Sequence, residues 1–553
     1  MFHLLRIALL ATVPVVVAAP ANLKRAAAPT VTISHPQATV IGSSGSNSVD
    51  SFNGIPFAQA PTGSLRLKPP KAIQTSLGTV KATGSAKSCP QFFFTTDTSD
   101  FPISVIGELA NIPLFQTVSN SGEDCLTVSI RRPTGTAAGA NLPVLVWIFG
   151  GGFELGSTAM YDGTTLVSAS MNLGGFGFMP GSEILKDGSA NLGLLDQRLA
   201  LEWIADNIKS FGGDPTKVTI WGESAGSISV FDQMALYDGD HTYNGAPLFR
   251  AGIMNSGSIV PADPVDGVKG QAVYDKVVAS AGCASASDTL ECLRGLDYTK
   301  FLDAANSVPG ILSYNSVALS YLPRPDGTVL TDSPEVLATS GKYASVPFII
   351  GDQEDEGTIF ALFQANISTR AQVVDYLQKI FFFDASREQL EALVATYPDV
   401  TTDGSPFRTS IFNNWYPQYK RIAAILGDLT FTITRRAFLT LAQNVKPDVP
   451  FWSYLSSYDY GTPILGTFHG SDILQVFYGI LPNYASRSIH SYYLSFVYDL
   501  DPNSRASSYM DWPQWSANHT LMNFFNDHGA LLADNFRQDT FEFISANVAS
   551  FHI

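Results

Sequence analysis

Residues 217–230 constrain the fold more than any other part of this chain. A run of β-branched and aromatic residues at 217–221 has the composition of a buried strand. It leads into Gly222-x-Ser224-x-Gly226, and the small and apolar residues that follow can begin a helix. Glycine at both flanks lets a strand turn sharply into a helix, where backbone lies against backbone. The pattern predicts a tight turn that raises the Ser224 hydroxyl above a sheet edge, beside a helix N-terminus that favours negative charge.

A second glycine-rich turn supplies backbone donors that a nucleophilic serine requires. Residues 142–149 are continuously apolar, as expected of a strand buried on both faces, and run directly into Gly150-Gly151-Gly152. Glycines at the end of a central strand expose N–H groups with no side chain in the way. With the N–H of Ala225, the residue after the serine, as a third donor, this glycine run predicts an oxyanion hole.

The general base follows by elimination among eight histidines. If the chain order is serine, acid, histidine, the base must follow both Ser224 and the acid, which excludes His3, His35 and His241. His519 lies inside a glycosylation sequon and His552 on the C-terminal tail, which leaves His469, His490 and His528. Only His469 follows a strand on a glycine-bounded loop, whereas the other two lie in helix-like polar surroundings. We therefore predict His469 as the base.

Residue patterns alone leave the acid open. The apolar strand 346–351 delivers Asp352, Glu354, Asp355 and Glu356 to one loop at the sheet edge where functional residues collect. One buried carboxylate would fix the tautomer of the imidazole and stabilise the imidazolium. Each of the four is a candidate, and most acidic loop residues are simply solvated.

Composition excludes several classes of partner. The 553 residues carry a net charge of −16, which argues against nucleic acids or anionic membranes as partners. Hydrophobic residues make up 45% of the chain, as expected of a well-buried globular protein. Neither a Cys-x-x-Cys nor a histidine-rich cluster indicates a metal, and we expect no cofactor. Without an internal repeat or a long linker, residues 26–553 are predicted to form one large domain.

The N-terminus is typical of an exported protein. Arg6 precedes an apolar run at 7–17 and then small residues, which predicts a signal peptide over 1–19. The run is too short to span a bilayer. The dibasic pair at 24–25 either ends a pro-segment, 20–25, or is an ordinary solvated pair. We expect secretion.

Four cysteines, an even number, fit an oxidising compartment. Proximity favours Cys283–Cys292 as a small loop and Cys89–Cys125 as a larger one, although four cysteines allow three connectivities. The larger loop is rich in phenylalanine, leucine and isoleucine. It is predicted either to pack permanently on the body or to act as a movable lid whose apolar face meets a lipid–water interface. Asn366 and Asn518 begin sequons for N-glycosylation.

Several motifs together resemble the type-B carboxylesterase/lipase family, and most closely its secreted fungal branch of Candida-type lipases and cholesterol esterases. The resemblance covers most of the mature chain and is carried by Gly-Glu-Ser-Ala-Gly at 222–226, Glu-Asp-Cys-Leu at 123–126, Gly-Gly-Gly-Phe at 150–153, Phe-Gly-Gly-Asp-Pro at 211–215, Asp-Glu-Gly-Thr at 355–358, Phe-His at 468–469 and Leu-Asp-Pro-Asn at 500–503.

This resemblance implies an α/β-hydrolase fold, with a large, mostly parallel twisted sheet, helices on both faces and a disulfide-closed, lid-like loop. It also implies Ser224 as nucleophile, Glu356 as acid and His469 as base. The oxyanion hole that it implies is made of Gly151, Gly152 and Ala225. The implied activity is hydrolysis of carboxylic esters through an acyl-enzyme. The phenylalanine-rich loop favours triacylglycerols or sterol esters as substrates. The alternative is a general carboxylesterase without interfacial activation.

One stretch departs from the family pattern. Family members usually carry a further strand between the glycine-rich loop and residues 175–178, and here only 166–173 remains for it. Either 166–171 has become that strand with its preceding helix lost, or a central strand is missing. A missing strand would leave buried backbone groups unpaired. The shortened segment, 164–176, therefore also allows a catalytically impaired protein, or a recognition protein without activity.

Overall fold

The computed structural model describes residues 28–45, 48–92, 105, 120–161, 167–458, 461–477 and 482–553. Its strands are β1 (Thr30–Ser34), β2 (Gln37–Ile41), β3 (Ser43–Ser44), β4 (Val49–Pro56), β5 (Gly78–Lys81), β6 (Thr127–Pro133), β7 (Leu142–Ile148), β8 (Val167–Ala169), β9 (Gly213–Glu223), β10 (Thr242–Tyr243), β11 (Ala246–Pro247), β12 (Ala251–Asn255), β13 (Phe348–Gln353), β14 (Phe451–Ser456), β15 (Thr520–Phe524) and β16 (Gly529–Ala533).

Eleven of these strands form one mixed sheet in the order β16-β15-β14-β13-β12-β9-β7-β8-β6-β4-β3. The strands from β8 through to β15 in that order run parallel to one another. The strands beyond them at both edges pair antiparallel. Strands β1, β2 and β5 form a separate three-stranded sheet.

The α-helices connect and cover the strands. They comprise Gly174–Gly177, Ser182–Asp187, Leu192–Asn207, Ala225–Gly239, Val268–Ser280, Thr289–Arg294, Tyr298–Ala305, Pro334–Thr339, Arg370–Tyr376, Arg387–Ala395, Tyr419–Gly427, Ile433–Val445, Tyr484–Asp499, Trp515–Asn518 and Gln538–Asn547. Across the described ranges, none of the helices has the length and apolar character required to cross a membrane.

Helices cover both faces of the central sheet. In β9 and β12, Ile220 pairs with Gly252 and Trp221 with Ile253, so that each pair shares a face. Gly252 lies against Val230 of the helix Ala225–Gly239. The ring of Trp221, on the opposite face, contacts Tyr493 of the helix Tyr484–Asp499, with ring centroids 5.7 Å apart. The predicted α/β-hydrolase architecture is confirmed.

The shortened segment does supply a central strand, although a short one. Strand β8 has three residues and lies between β7, with which it pairs parallel, and β6, with which it pairs antiparallel. Of the two alternatives that the sequence left open, the structure therefore shows the first, in which this segment supplies the strand. Because β8 pairs with only Val146 and Trp147 of β7, the earlier residues of β7 instead line a groove of about 910 Å³.

Both predicted disulfides are present, Cys89–Cys125 and Cys283–Cys292. Asn366 and Asn518 are exposed, as glycosylation acceptors must be, and their modification stays a prediction. The signal peptide, the pro-segment and most of the interior of the loop closed by Cys89 and Cys125 lie outside the described residues.

Candidate active site

Ser224 stands at a sharp turn between β9 and the helix Ala225–Gly239. Its backbone has φ 58° and ψ −126°, a strained conformation for a residue with a side chain. A Cβ on Gly222 would lie 2.2 Å from the carbonyl oxygen of Gly226, and one on Gly226 would lie 2.0 Å from that of Ile148. Only glycine fits at these two positions, as the sequence pattern predicts.

The turn is fastened to the neighbouring strand. The N–H of Ser224 donates to the carbonyl of Asn255, the last residue of β12, at 3.0 Å. The side-chain oxygen of Asn255 accepts from Trp221 at 3.2 Å and from the Tyr493 hydroxyl at 2.8 Å. Its amide nitrogen donates to Asp472 at 3.1 Å. Sequence reasoning missed Asn255, because only the pairing of β12 with β9 reveals its role.

His469 and Glu356 form a buried hydrogen-bonded pair. The Nδ1 atom of His469 lies 2.5 Å from Oε2 of Glu356, so that Nδ1–H donates to the carboxylate and Nε2 is left to face a hydroxyl. The other oxygen of Glu356 accepts the N–H of Gln353 at 2.7 Å. His469 is 5% exposed and Glu356 is 2% exposed. Burial strengthens such a charge-assisted contact.

The other three acids of the loop bind elsewhere. Asp352 accepts from Arg435 at 2.7 Å, and Glu354 accepts from Arg408 at 2.6 Å. Asp355 accepts the N–H of Thr467 at 3.0 Å and therefore holds the segment that carries His469. Of the four carboxyl groups on this loop, Glu356 is the one that contacts the imidazole of His469.

Two phenylalanine rings contact the histidine and line the same pocket as the serine. The ring centroids of Phe360 and Phe431 lie 5.0 and 4.5 Å from that of His469. Both rings also line a pocket that begins at Ser224. Among the described residues no hydrogen bond joins Ser224 to His469, as is common in unliganded sites whose catalytic bonds tighten on substrate binding.

The predicted oxyanion donors lie at the mouth of the same pocket. Gly152 and Ala225 line it beside Ser224, and Gly151 directly precedes Gly152. Gly151 and Gly152 have φ of 118° and 62°, and a Cβ on Gly151 would lie 2.1 Å from the carbonyl oxygen of Leu155. A side chain is therefore excluded where the backbone must approach a substrate.

Glu154 anchors the oxyanion turn. Its side chain is completely buried, and one oxygen accepts the N–H of Ile311 at 2.8 Å. Ile311 in turn packs so closely on Gly152 that a Cβ there would lie 2.8 Å from its Cδ1. Burial raises the pKa of Glu154 to about 8, so that its carboxyl is largely neutral at pH 7.

Two buried carboxyl groups lie behind the nucleophile. Burial, and then the negative charge of nearby Asp472, raise the pKa of Glu223 well above its ordinary value. Burial raises the pKa of Asp472 to about 6. Asp472 follows His469 by three residues, which could have pointed to it in the sequence.

The comparisons with known proteins agree with this geometry. The sequence model of the carboxylesterase family matches residues 27–544. Secreted lipase 1 of Botryotinia fuckeliana is 63% identical over 545 residues, which are 96% of this chain and 95% of that protein. A secreted triacylglycerol lipase of Gibberella zeae is 59% identical over 552 residues, 97% and 93% of the two chains.

A solved structure shares the fold. The crystal structure of Aspergillus niger EstA matches with a TM-score of 0.79 at 24% identity, over 95% of this chain and 99% of that chain. These secreted fungal relatives confirm the prediction of secretion and the resemblance to the secreted fungal branch of the family. This chain belongs to the carboxylesterase family and is a carboxylic ester hydrolase.

Proposed function

We propose that this secreted ester hydrolase cleaves lipid esters, triacylglycerols or sterol esters, through a triad of Ser224, His469 and Glu356. The single observation that carries the proposal is the buried contact of 2.5 Å between His469 and Glu356, beside a pocket that begins at Ser224. A hydroxyl, a base and an orienting acid in that order are the parts of an activated serine nucleophile.

In the first half-reaction, Ser224 Oγ attacks the ester carbonyl while Nε2 of His469 takes the hydroxyl proton. Glu356 stabilises the imidazolium that forms. The N–H groups of Gly151, Gly152 and Ala225 hold the oxyanion of the tetrahedral intermediate. His469 then returns the proton to the leaving alcohol, the bond between carbonyl carbon and alcohol oxygen breaks, and an acyl-enzyme remains.

In the second half-reaction, water attacks the acyl-enzyme and gives its proton to Nε2 of His469. The oxyanion forms again in the same hole, and collapse of the intermediate returns that proton to Ser224. The products are a carboxylic acid and the free enzyme. Every group in the scheme comes from the chain, and no cofactor enters it.

The walls of the pocket support an apolar acyl group. Most of its lining is aliphatic or aromatic, including Ile228, Leu319 and Leu322. A second cavity adjoins it, because Val260, Thr430 and Ile553 line both. These apolar walls suit a hydrocarbon chain.

The proposal is tested with emulsified trioleoylglycerol, cholesteryl oleate and a soluble acetyl ester, each assayed with the purified protein and with Ser224→Ala. We expect release of oleate from at least one lipid ester, with higher kcat/KM than for the acetyl ester, and no turnover by Ser224→Ala. Faster cleavage of the acetyl ester would favour the general carboxylesterase instead. Absence of any turnover would leave the impaired protein as the better account.

A contact of the loop closed by Cys89 and Cys125 with a lipid–water interface is also part of this proposal. It predicts a jump in rate when a lipid ester passes its solubility limit. A rate that rises smoothly through that limit would favour a carboxylesterase without interfacial activation.

A further inference from the structure

One acidic residue that lines the pocket has no role in the proposed mechanism. Asp232 lies on the helix Ala225–Gly239, is completely buried, and lines the pocket that begins at Ser224. Within the described parts of the chain, neither of its side-chain oxygens has a hydrogen-bond partner. Its neighbours in the pocket lining include Ile228, Val260 and Pro334, which offer no side-chain polar group.

A buried carboxyl group without a hydrogen-bond partner destabilises the folded protein. Burial of a polar group without a partner costs free energy, and an aliphatic residue in its place would pack without that cost. Asp232 therefore does not stabilise the helix or the core through any contact of its carboxyl group. A group that enters the pocket, which Ser224 and Asp232 both line, can supply the missing partner.

The protonation state indicates which kind of group fits. Burial raises the pKa of Asp232 well above its ordinary value, which favours the neutral carboxylic acid over the carboxylate. A neutral acid offers one O–H donor and one carbonyl acceptor. A hydroxyl, which both donates and accepts, matches the pair, whereas a cation would require the ionised form.

The position on the helix gives the separation between this group and Ser224. Asp232 follows Ser224 by eight residues, all within the regular part of the helix, which is about 12 Å along its axis. Both residues line the same pocket, and an acyl chain that runs along the helix from one to the other, at about 1.2 Å per bond, covers this distance in about ten bonds. The matching hydroxyl lies near the middle of a long acyl chain.

We infer that Asp232 is a specificity-determining residue that binds a mid-chain hydroxyl, so that the enzyme prefers esters of fatty acids hydroxylated near carbon 10. This inference rests on the proposed function, because it requires that the acyl chain enters the pocket at Ser224. It narrows the substrate class from lipid esters in general to esters of mid-chain hydroxylated fatty acids.

The test compares kcat/KM for the 4-nitrophenyl esters of octadecanoic acid and of its 2-, 10- and 17-hydroxy derivatives, all presented in the same detergent micelles. For the unaltered protein we expect the 10-hydroxy ester to exceed the other three by about tenfold or more, since a site built for a hydroxyl rejects its absence. Equal values for all four esters, or a maximum at carbon 2 or carbon 17, would overturn the inference.

Variants locate the preference at one side chain. In Asp232→Leu we expect the preference for the 10-hydroxy ester to disappear, with a lower value for that ester and a higher value for the plain one. Asp238→Asn, which alters an exposed acid in the non-helical turn that ends this segment, is the control and should retain the preference. A preference that persists in Asp232→Leu contradicts the inference.

The outcomes also separate this inference from the proposed function. Loss of all four activities in Ser224→Ala upholds the nucleophile, whatever the preference among the esters. If Asp232→Leu does not fold, the inference is tested by the kcat/KM values of the four esters with the unaltered protein. Activity that survives in Ser224→Ala would instead overturn the proposed function.

Discussion

At the scale of single residues, the proposed triad depends on which way neighbouring side chains point. Asp355 and Glu356 are adjacent in sequence, and yet one holds the backbone of Thr467 while the other holds the ring of His469. The two carboxylates thereby divide two tasks, positioning the histidine segment and orienting the imidazole. A change at each position should therefore have a different effect.

Glu356→Gln should leave the fold intact and lower kcat by about three to four orders of magnitude, because an amide cannot stabilise the imidazolium or enforce its tautomer. The measurement is kcat on a lipid ester together with the far-ultraviolet circular dichroism spectrum. Glu354→Gln is the control, since Glu354 pairs with the half-exposed Arg408 and should retain activity. Comparable kcat values for the two variants would contradict the assignment of the acid.

Sequence patterns predicted some of these residues and not others. Ser224, Gly151 and Gly152 were predictable because their turns require glycine or a strained φ, which leaves a local signature. Four acids on one loop could not be separated, because spacing does not tell which side chain points at the histidine. Asn255, Glu154 and Asp232 were missed, since their roles arise from contacts between distant segments.

At the scale of elements, the shortest strand of the core is the most sensitive one. Strand β8 pairs on both sides, and Ser168, its middle residue, lies opposite Trp147 of β7 and Ser129 of β6. The connection between β7 and β8 has 18 residues, which is near the shortest that two parallel strands accept. The length of this connection therefore did not reveal whether the segment would form a strand of the sheet.

Ser168→Pro should destabilise the protein by about 3 kcal/mol, because proline removes a backbone donor and fits poorly in a central strand. Thermal unfolding of the purified variant, compared with Ser168→Ala, measures the effect. Ser168→Ala retains the N–H and should unfold close to the unaltered protein. Equal unfolding temperatures for the proline and alanine variants would show that β8 contributes little to the sheet.

At the scale of the whole molecule, buried acids make stability depend on pH. Burial raises the pKa of Glu154 to about 8 and that of Asp196 to about 7, whereas in the unfolded chain both titrate near 4. Between these values the folded state binds more protons than the unfolded state. Their contribution to stability is therefore complete below about pH 4 and is lost as pH rises through 7 to 8.

We expect a higher unfolding temperature at pH 5 than at pH 8, by a few degrees, in differential scanning calorimetry. Glu154→Gln keeps an acceptor for the N–H of Ile311 but cannot ionise, and it should reduce the difference between the two pH values. Asp534, whose pKa is lowered to about 2 despite its burial, chiefly by Arg435, stays ionised throughout and does not contribute in this range. A protein more stable at pH 8 would contradict the account.

The proposed activated serine is tested most directly by covalent labelling with a fluorophosphonate probe. The secreted, monodisperse protein should be labelled at Ser224, and Ser224→Ala and His469→Ala should not be labelled. Such labelling requires a serine hydroxyl that a general base activates and an oxyanion hole beside it. If folded protein is not labelled, or if labelling persists in Ser224→Ala, the proposed triad is wrong.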